Sequence, residues 1–296
     1  MGTAPDDDGR LEWARSWLFV PGDKADRWLA KATAADPDVL IVDLEDAVAA
    51  SRKDAARDIV AAALERDRPS IPLVIRINGI NTPWWTDDLE MAVTAGVTAL
   101  MVPKVGSADD VACVAALLDA RGPTGDPASR RISIVPLIET AAGVLRAEAI
   151  AGSHRVVAVA LGGEDLAVDI GVTRTPGGAE LEFSRGHLVL ACAASGCGAI
   201  DTPTLDTRDT GLVGAQASAA RALGFTGMQA IHPSQVAAIN AAFEPLDDEI
   251  EWAHAVVDAF ELAARSGSGV TVVGERMVDA PVVAAARRVL GRARPG

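Results

Sequence analysis

Basic residues are in short supply in this chain of 296 residues: 27 Lys and Arg stand against 41 Asp and Glu, a net charge of −14. A field of that sign repels nucleic-acid phosphates and anionic lipid, which excludes a general polyanion-binding role. Cysteine is scarce as well. Cys113, Cys192 and Cys197 are an odd number with no CxxC pair, so neither a disulfide framework nor a cysteine zinc site is expected. The four histidines (154, 187, 232 and 254) form no HxxxH or HxH pair, which disfavours a His-rich zinc or iron centre. Long apolar runs are missing too: Val156–Leu161 falls far short of the roughly 18–20 residues that span a bilayer. Met1–Arg10 has no apolar core of a signal peptide, and a cytoplasmic location is expected. No G-x-G-x-x-G follows any candidate strand, which argues against an open dinucleotide-binding sheet.

What is present is an alternation. With 49% hydrophobic and 23% charged residues, the chain can bury a large core. Short continuous apolar runs, as in parallel strands buried on both faces, occur at Trp17–Val20, Val39–Val42, Leu73–Ile77, Ala99–Val102, Ile132–Ile138, Val156–Leu161, Ala199–Ile200 and Met228–Ile231. Between them lie helical patterns at Lys24–Ala35, Ser51–Arg66, Trp84–Ala95, Ala108–Arg121, Ala141–Ile150, Arg185–Ala194, Asp209–Leu223 and Pro233–Ala242. Thr82 before Pro83 reads as a helix N-cap, Gly96 as a C-cap, and Ser107 with Asp110 as a weak capping box. Eight such pairs in about 240 residues are the arithmetic of an α/β fold, the (β/α)8 TIM barrel. Three segments are expected: a disordered tail over 1–14, a catalytic barrel over 15–246, and an extension over 247–296. The extension reads as a helix at Asp248–Arg265, a turn at Ser266–Gly269, a strand at Val270–Val273 and a helix at Ala280–Leu290.

In such a barrel the active site lies at the C-terminal ends of the strands. The expected ends carry Pro21-Gly22-Asp23-Lys24, Asp43-Leu44-Glu45-Asp46, Arg76 with Asn78, Pro103-Lys104, Glu139-Thr140, Gly162-Gly163-Glu164-Asp165, Asp201 and His232-Pro233. Acids crowded at one mouth repel each other, and a divalent cation is their natural neutraliser. Carboxylates with open water positions suit Mg2+, or Mn2+. Glu139 and Asp165, on adjacent strands, are the best pair of metal ligands, unless each merely caps the helix after it. Arg76 ends an apolar strand, so it is either paired to an acid or holds an anionic or developing oxyanion group.

The ordered set Arg15-Ser-Trp-Leu-Phe-Val-Pro-Gly22, Asp43-Leu-Glu-Asp-Ala-Val48, Arg76-Ile-Asn78, Val102-Pro-Lys-Val105, Pro136-Leu-Ile-Glu-Thr140, Gly162-Gly-Glu-Asp-Leu166 and Ile231-His-Pro233 resembles the citrate lyase β-subunit-like proteins of the HpcH/HpaI aldolase superfamily. Gly274-Glu-Arg-Met-Val-Asp-Ala-Pro281 resembles the C-terminal segment of that family, so the likeness runs from about Arg15 to Leu290. The resemblance implies a Mg2+-dependent carbon–carbon lyase acting on a 3-hydroxyacyl-CoA (malyl-, citramalyl- or citryl-CoA) through a thioester enolate, releasing an acyl-CoA and a 2-oxo acid. Thioesterase activity could accompany it. By position, Glu139 and Asp165 would bind the metal, Arg76 would stabilise the enolate, and Glu45 and Asp46 would stand behind the metal ligands. Asp279 would be the acid/base, carried on a tail swapped between subunits of a homotrimer or hexamer. Arg76, Pro21, Asp43, Gly163 and Glu164 are the substrate-binding candidates.

Two features place the chain within the superfamily. Its Asp43-Leu-Glu-Asp46 lacks the His that free hydroxy-acid aldolases carry there, which favours the CoA-dependent branch. Gly227-Met228 replaces a Gly-Lys pair of many relatives, which puts any CoA role of that Lys in doubt. CoA is anionic, so a basic patch is expected near the mouth: Lys24, Arg27 and Lys31 are candidates, although a solvated helix face explains each alone. Arg174 and Arg185 also match Arg positions of the family. Arg15 should serve stability at the barrel bottom, Trp84-Trp85 packing, and His232 a strand-end hydrogen bond. The cysteines fall in helical patterns and are expected to be inert. The alternatives are a CoA-independent aldolase of 2-oxo acids, and a citrate lyase β subunit acting on a carrier-protein thioester within a complex.

Overall fold

Eight parallel strands follow one another around a ring: β1 (Ser16–Pro21), β2 (Val39–Asp43), β3 (Leu73–Arg76), β4 (Ala99–Val102), β5 (Ser133–Ile138), β6 (Ala158–Leu161), β7 (Gly198–Asp201) and β8 (Gly227–Ala230). In this computed structural model, which describes residues 11–121, 132–175, 177–265 and 267–293, the ring closes where Ser16, Trp17 and Leu18 pair with Met228, Gln229 and Ala230. The strands are buried along nearly their whole length, because one face meets the barrel interior and the other the helices. A continuous apolar run is therefore the pattern such a strand needs. Val39, Ile41, Val74, Ala99, Met101, Val135, Leu137, Ala158 and Ile200 fill the interior with Trp17, while their alternates pack against the helices.

The crossover helices are α1 (Ala25–Thr33), α2 (Lys53–Arg66), α3 (Trp85–Ala95), α4 (Ala108–Arg121), α5 (Ala141–Leu145), α6 (Ala147–Ala151), α7 (Gly163–Asp169), α8 (Glu182–Ser195), α9 (Thr210–Leu223) and α10 (Val236–Phe243). Gly96 ends α3 in the left-handed region, at φ 61, as its C-cap position requires. Asp110 and Ser107 form the reciprocal cap expected of them, with Asp110 Oδ2 accepting from the amides of Gly106 and Ser107. Thr82 does not cap α3: its hydroxyl donates to the Gly79 carbonyl (2.7 Å), which tightens a turn, and α3 starts three residues later. The single helix expected over 141–150 is two, since Arg146 leaves helical torsions at φ −115 and ψ 14. The short helix α7 stands where charged strand-end residues alone were expected. Cys113 and Cys192 lie in helices, whereas Cys197 follows the left-handed Gly196 and leads into β7.

Residues 1–10 of the expected disordered tail lie outside the described residues, as does Ser266 of the expected turn. Leu11 and Ala14, also assigned to that tail, are buried, and the Trp17 indole donates to the Ala14 carbonyl (3.0 Å). A Cβ on Gly227 would lie 2.1 Å from that same carbonyl oxygen, so the barrel bottom closes there only over glycine.

The described residues form two compact units that divide after Phe243. The second holds α11 (Asp247–Arg265), a hairpin of β9 (Thr271–Val273) and β10 (Arg276–Val278), and α12 (Ala280–Arg292). Ala253, Val256, Val278, Val283 and Ala286 form its own small core. Among the described residues no helix is long and apolar enough to cross a membrane.

Candidate active site at the barrel mouth

A cavity of about 560 Å³ opens at the C-terminal ends of the strands. Pro21, Asp43, Asp46, Arg76, Glu139, Gly163, Glu164 and Asp165 of the expected site line it, together with Lys31. Glu139 ends β5 and is 1% exposed. The helix that follows is capped by Thr140, whose hydroxyl accepts from the Gly143 amide (3.1 Å), so Glu139 is not a cap. One carboxylate oxygen, Oε1, accepts from the Lys104 amide (2.7 Å). A Cβ on Gly162 would come within 2.7 Å of Oε2, so the residue beside Glu139 has to be glycine. Burial and the neighbouring charges of Glu45 and Asp165 push the Glu139 carboxyl up to about 8. Asp165 is exposed in the first turn of α7, with no hydrogen-bond or ion-pair partner among the described residues. That turn is capped by Gly162, and Asp165 does not serve it.

The pairing of Arg76 differs from a free anion hook. Its Nε and Nη2 each donate to one oxygen of Asp43 at 2.7 Å, and its Nη1 lies 3.4 Å from Glu45. The guanidinium also sits over the Phe19 ring, 4.8 Å from its centre. Asp43 accepts two further hydrogen bonds, from the amides of Glu45 (2.8 Å) and Ala47 (3.0 Å). Burial opposes its ionisation, but Arg76 and these amides outweigh burial and hold its carboxyl below the usual range. All four acceptor positions of Asp43 are taken. Asp43 lines the cavity, with its oxygens engaged in holding Arg76.

Glu164 lines the cavity as well, and its Oε1 accepts from Arg174 Nε (2.9 Å), while Arg174 also holds Glu180. Arg185 is paired to the buried Asp201 at 2.6 Å. Both arginines are therefore spent on structure within the chain. Arg27 is exposed, lies 3.6 Å from Asp26 and does not line the cavity. Lys24 lies over the Trp28 ring at 5.2 Å, and Trp28, half exposed, lines the cavity beside Lys31. His232 Nδ1 accepts from the Ser234 amide, the strand-end bond expected of it. Asp279 belongs to the second unit, where its carboxylate accepts from the Val282 amide (3.3 Å) and caps α12.

Lys53 and Asp88 were missed, and Asn78 and Lys104 stood among the expected strand ends with no role assigned. Lys53 is buried and donates to the carbonyls of Leu44 and Glu45, both at 2.7 Å, with Trp84 packed beneath its ammonium. Burial pulls its ammonium pKa down. Asn78 donates to the Leu44 carbonyl (3.0 Å) and is itself held by the fully buried Asp88. Together they pin the loop that carries Glu45 and Asp46. Lys104 donates to Glu45 Oε1 at 2.7 Å and lies 3.9 Å from Asp46. The only local signal for Lys53 and Lys104 was a lysine next to an otherwise apolar or acidic stretch.

The donor set suits a hard divalent cation. Asp43, Asp46, Glu139, Glu164 and Asp165 line the cavity against Arg76 and Lys31, an excess of carboxyl groups that a cation would relieve. Among the described residues no three His, Cys, Asp or Glu side chains are arranged to hold a metal. An ion at Glu139 and Asp165 would then complete its shell with water and substrate oxygens, the habit of Mg2+.

The sequence pattern of the family described as HpcH/HpaI aldolase/citrate lyase matches residues 15–233. A citrate lyase subunit beta-like protein of Deinococcus radiodurans is 36% identical over 286 residues, covering 93% of this chain and 96% of that protein. A (3S)-malyl-CoA thioesterase of Cereibacter sphaeroides is 35% identical, covering 94% of each. The crystal structure of protein CitE from Mycobacterium tuberculosis in complex with magnesium, acetoacetate and coenzyme A superposes with a TM-score of 0.76 at 34% identity, covering 96% of this chain and 99% of that one. Shared barrel, shared motifs and near-complete coverage together show that the chain belongs to the HpcH/HpaI aldolase/citrate lyase family of carbon–carbon lyases.

Proposed function

We propose that this protein is a Mg2+-dependent lyase that cleaves, or in reverse forms, a 3-hydroxyacyl-CoA of the malyl-, citramalyl- or citryl-CoA kind. The observation that carries the reading is the pair Glu139 and Asp165, lining a cavity in which acids outnumber the cations. The relatives support it, one bound to magnesium, an oxo acid and coenzyme A, another named for malyl-CoA. Glu139 and Asp165 would hold the magnesium, which when bound supplies Lewis acidity and a template for the oxygens of the 2-oxo acid.

The steps at the substrate balance without an added reagent. The 3-hydroxyl gives up its proton, its oxygen becomes the carbonyl of the oxo acid, and the electrons of the broken C–C bond pass into the thioester as an enolate. That enolate takes a proton at its α-carbon to leave the acyl-CoA. Arg76, fixed by Asp43 and Glu45 with its ring face on Phe19, stabilises oxygen charge that grows only in the transition state. Because its partners already hold it, little reorganisation is needed when that charge appears. The proton is assigned to Asp279 by resemblance. Lys31 and Lys24 remain the basic groups for the CoA phosphates. The swapped tail implied by the resemblance makes a trimer or hexamer the expected assembly, read by analytical ultracentrifugation.

The test is turnover of malyl-, citramalyl- and citryl-CoA by the purified protein, with and without EDTA. Activity on one of them that EDTA abolishes and Mg2+ restores is expected. Equal rates in the chelator would overturn the reading. Turnover only of free 2-oxo acids with aldehydes, or only of a carrier-protein thioester, would move the protein to one of the two alternative activities. Release of free CoA without acyl-CoA would make the net reaction hydrolytic.

A further inference from the structure

At the end of β4 the backbone takes an unfavourable turn. Lys104 has φ 55, in the left-handed region that side chains disfavour. Asp36 and Arg155, the other non-glycine residues with positive φ among those described, precede β2 and β6 at the opposite end of the barrel. The φ torsion sets the angle between a residue's own amide and its side chain. Here that angle lets one residue hold two carboxylates. The Lys104 amide donates to Glu139 Oε1 at 2.7 Å, while its ammonium donates to Glu45 Oε1 at 2.7 Å and stands 3.9 Å from Asp46.

Glu45 has reason to move if released. It is 6% exposed, its Oε2 is buried without a hydrogen bond, and Arg76 stands 3.4 Å from that oxygen. Its charge acts on Glu139 more strongly than that of Asp165 does. Glu45 and Glu139 are both bonded to the one residue Lys104, Glu139 through its amide and Glu45 through its ammonium. A third carboxylate on a cation held by Glu139 and Asp165 would tighten it and take a position the oxo acid needs.

We infer that Lys104 is a positioning residue: it keeps Glu45 out of the cation's ligand set while fixing Glu139 within it. This rests on the reading of Glu139 and Asp165 as a divalent-cation site. It predicts an unusual combination, in which losing the lysine strengthens metal binding and weakens the enzyme.

The experiment measures Mn2+ binding by titration calorimetry on the full chain, together with steady-state kinetics in the condensation direction. Lys104→Met removes the charge. Lys104→Gly does so too in a residue that accepts the backbone turn, which protects folding, and thermal melts verify it. Both should bind Mn2+ roughly tenfold tighter, the kind of gain expected when one more carboxylate joins the ion. The KM for the oxo acid should rise several-fold, and Lys104→Arg should restore both values. Adding Glu45→Asp to Lys104→Met, which keeps the negative charge but shortens its reach, should return the affinity most of the way to that of the wild type.

If tighter binding survives that double change, the gain is only the deleted charge and the inference fails. It also fails if Lys104→Met and Lys104→Gly bind Mn2+ as the wild type does, or more weakly, since a mere structural prop would do that. A wild type that binds no Mn2+, or binds it unchanged after Glu139→Gln, would instead remove the metal reading beneath it.

Discussion

The two ends of the barrel handle charge in opposite ways. At the bottom two arginines are matched by acids: Arg15 grips both oxygens of Asp38 at 2.9 and 3.0 Å, and Arg155 pairs with Asp119 at 2.6 Å while donating to the Ile132 carbonyl. At the mouth, acids outnumber cations, one carboxyl is pushed up to about 8, and one buried oxygen of Glu45 lacks a donor. The bottom closes on backbone packed against Gly198 and Gly227. The difference teaches where stability ends and function begins, since unbalanced charge is tolerated only where a ligand can correct it.

The sharpest way to break that contrast is Glu139→Gln. Activity should fall by more than about a thousandfold, as expected for loss of a metal ligand. Thermal stability should hold or rise, because the neutral amide removes a carboxyl whose ionised form burial disfavours. A melting temperature lowered by several degrees would mean that Glu139 serves the fold. Arg15→Ala should do the reverse. It leaves Asp38, 7% exposed, without its main partner, and urea denaturation should show a loss of about 3 kcal/mol. Its kcat/KM should stay within about twofold, since Arg15 lies far along the strand from the mouth.

Gly227→Ala should cost about 1–3 kcal/mol by the same measurement, because the added carbon meets the Ala14 carbonyl and the backbone must shift. A last effect concerns pH. The folded pKa of Glu139 lies above its ordinary 4.5, so its proton favours the native state. That contribution is complete below about pH 4.5 and is lost as pH rises through about 8. Metal-free protein should therefore lose stability across that window, by differential scanning calorimetry, and Mn2+ affinity should rise over the same range. A profile flat in both measurements would place Glu139 in an ordinary, solvated setting.

Much of the fold was legible because local rules governed it. Apolar runs marked all eight strands, and Gly96, Ser107 and Asp110 marked helix ends that formed as expected. Thr82 misled, since a threonine before a proline can cap a helix or tighten a turn, and only the Gly79 carbonyl decided which. The site was half legible. Acids at strand ends pointed to the mouth, and Glu139 and Asp165 do meet there. Their rarer partners were hidden: Lys53 looks like any first-turn lysine until its ammonium is seen capping two loop carbonyls.

From the sequence alone came the barrel and the crowding of carboxylates at one end, because strand periodicity and strand-end position depend on near neighbours in the chain. Tertiary structure decided which of those carboxylates are spent and which are free. Asp43 is taken by Arg76 across 33 residues, Glu45 by Lys104 across 59, and Glu164 by Arg174 after a turn of the chain. Ion pairing falls off steeply with distance and angle, and no local pattern states the distance between the ends of two strands that fold side by side.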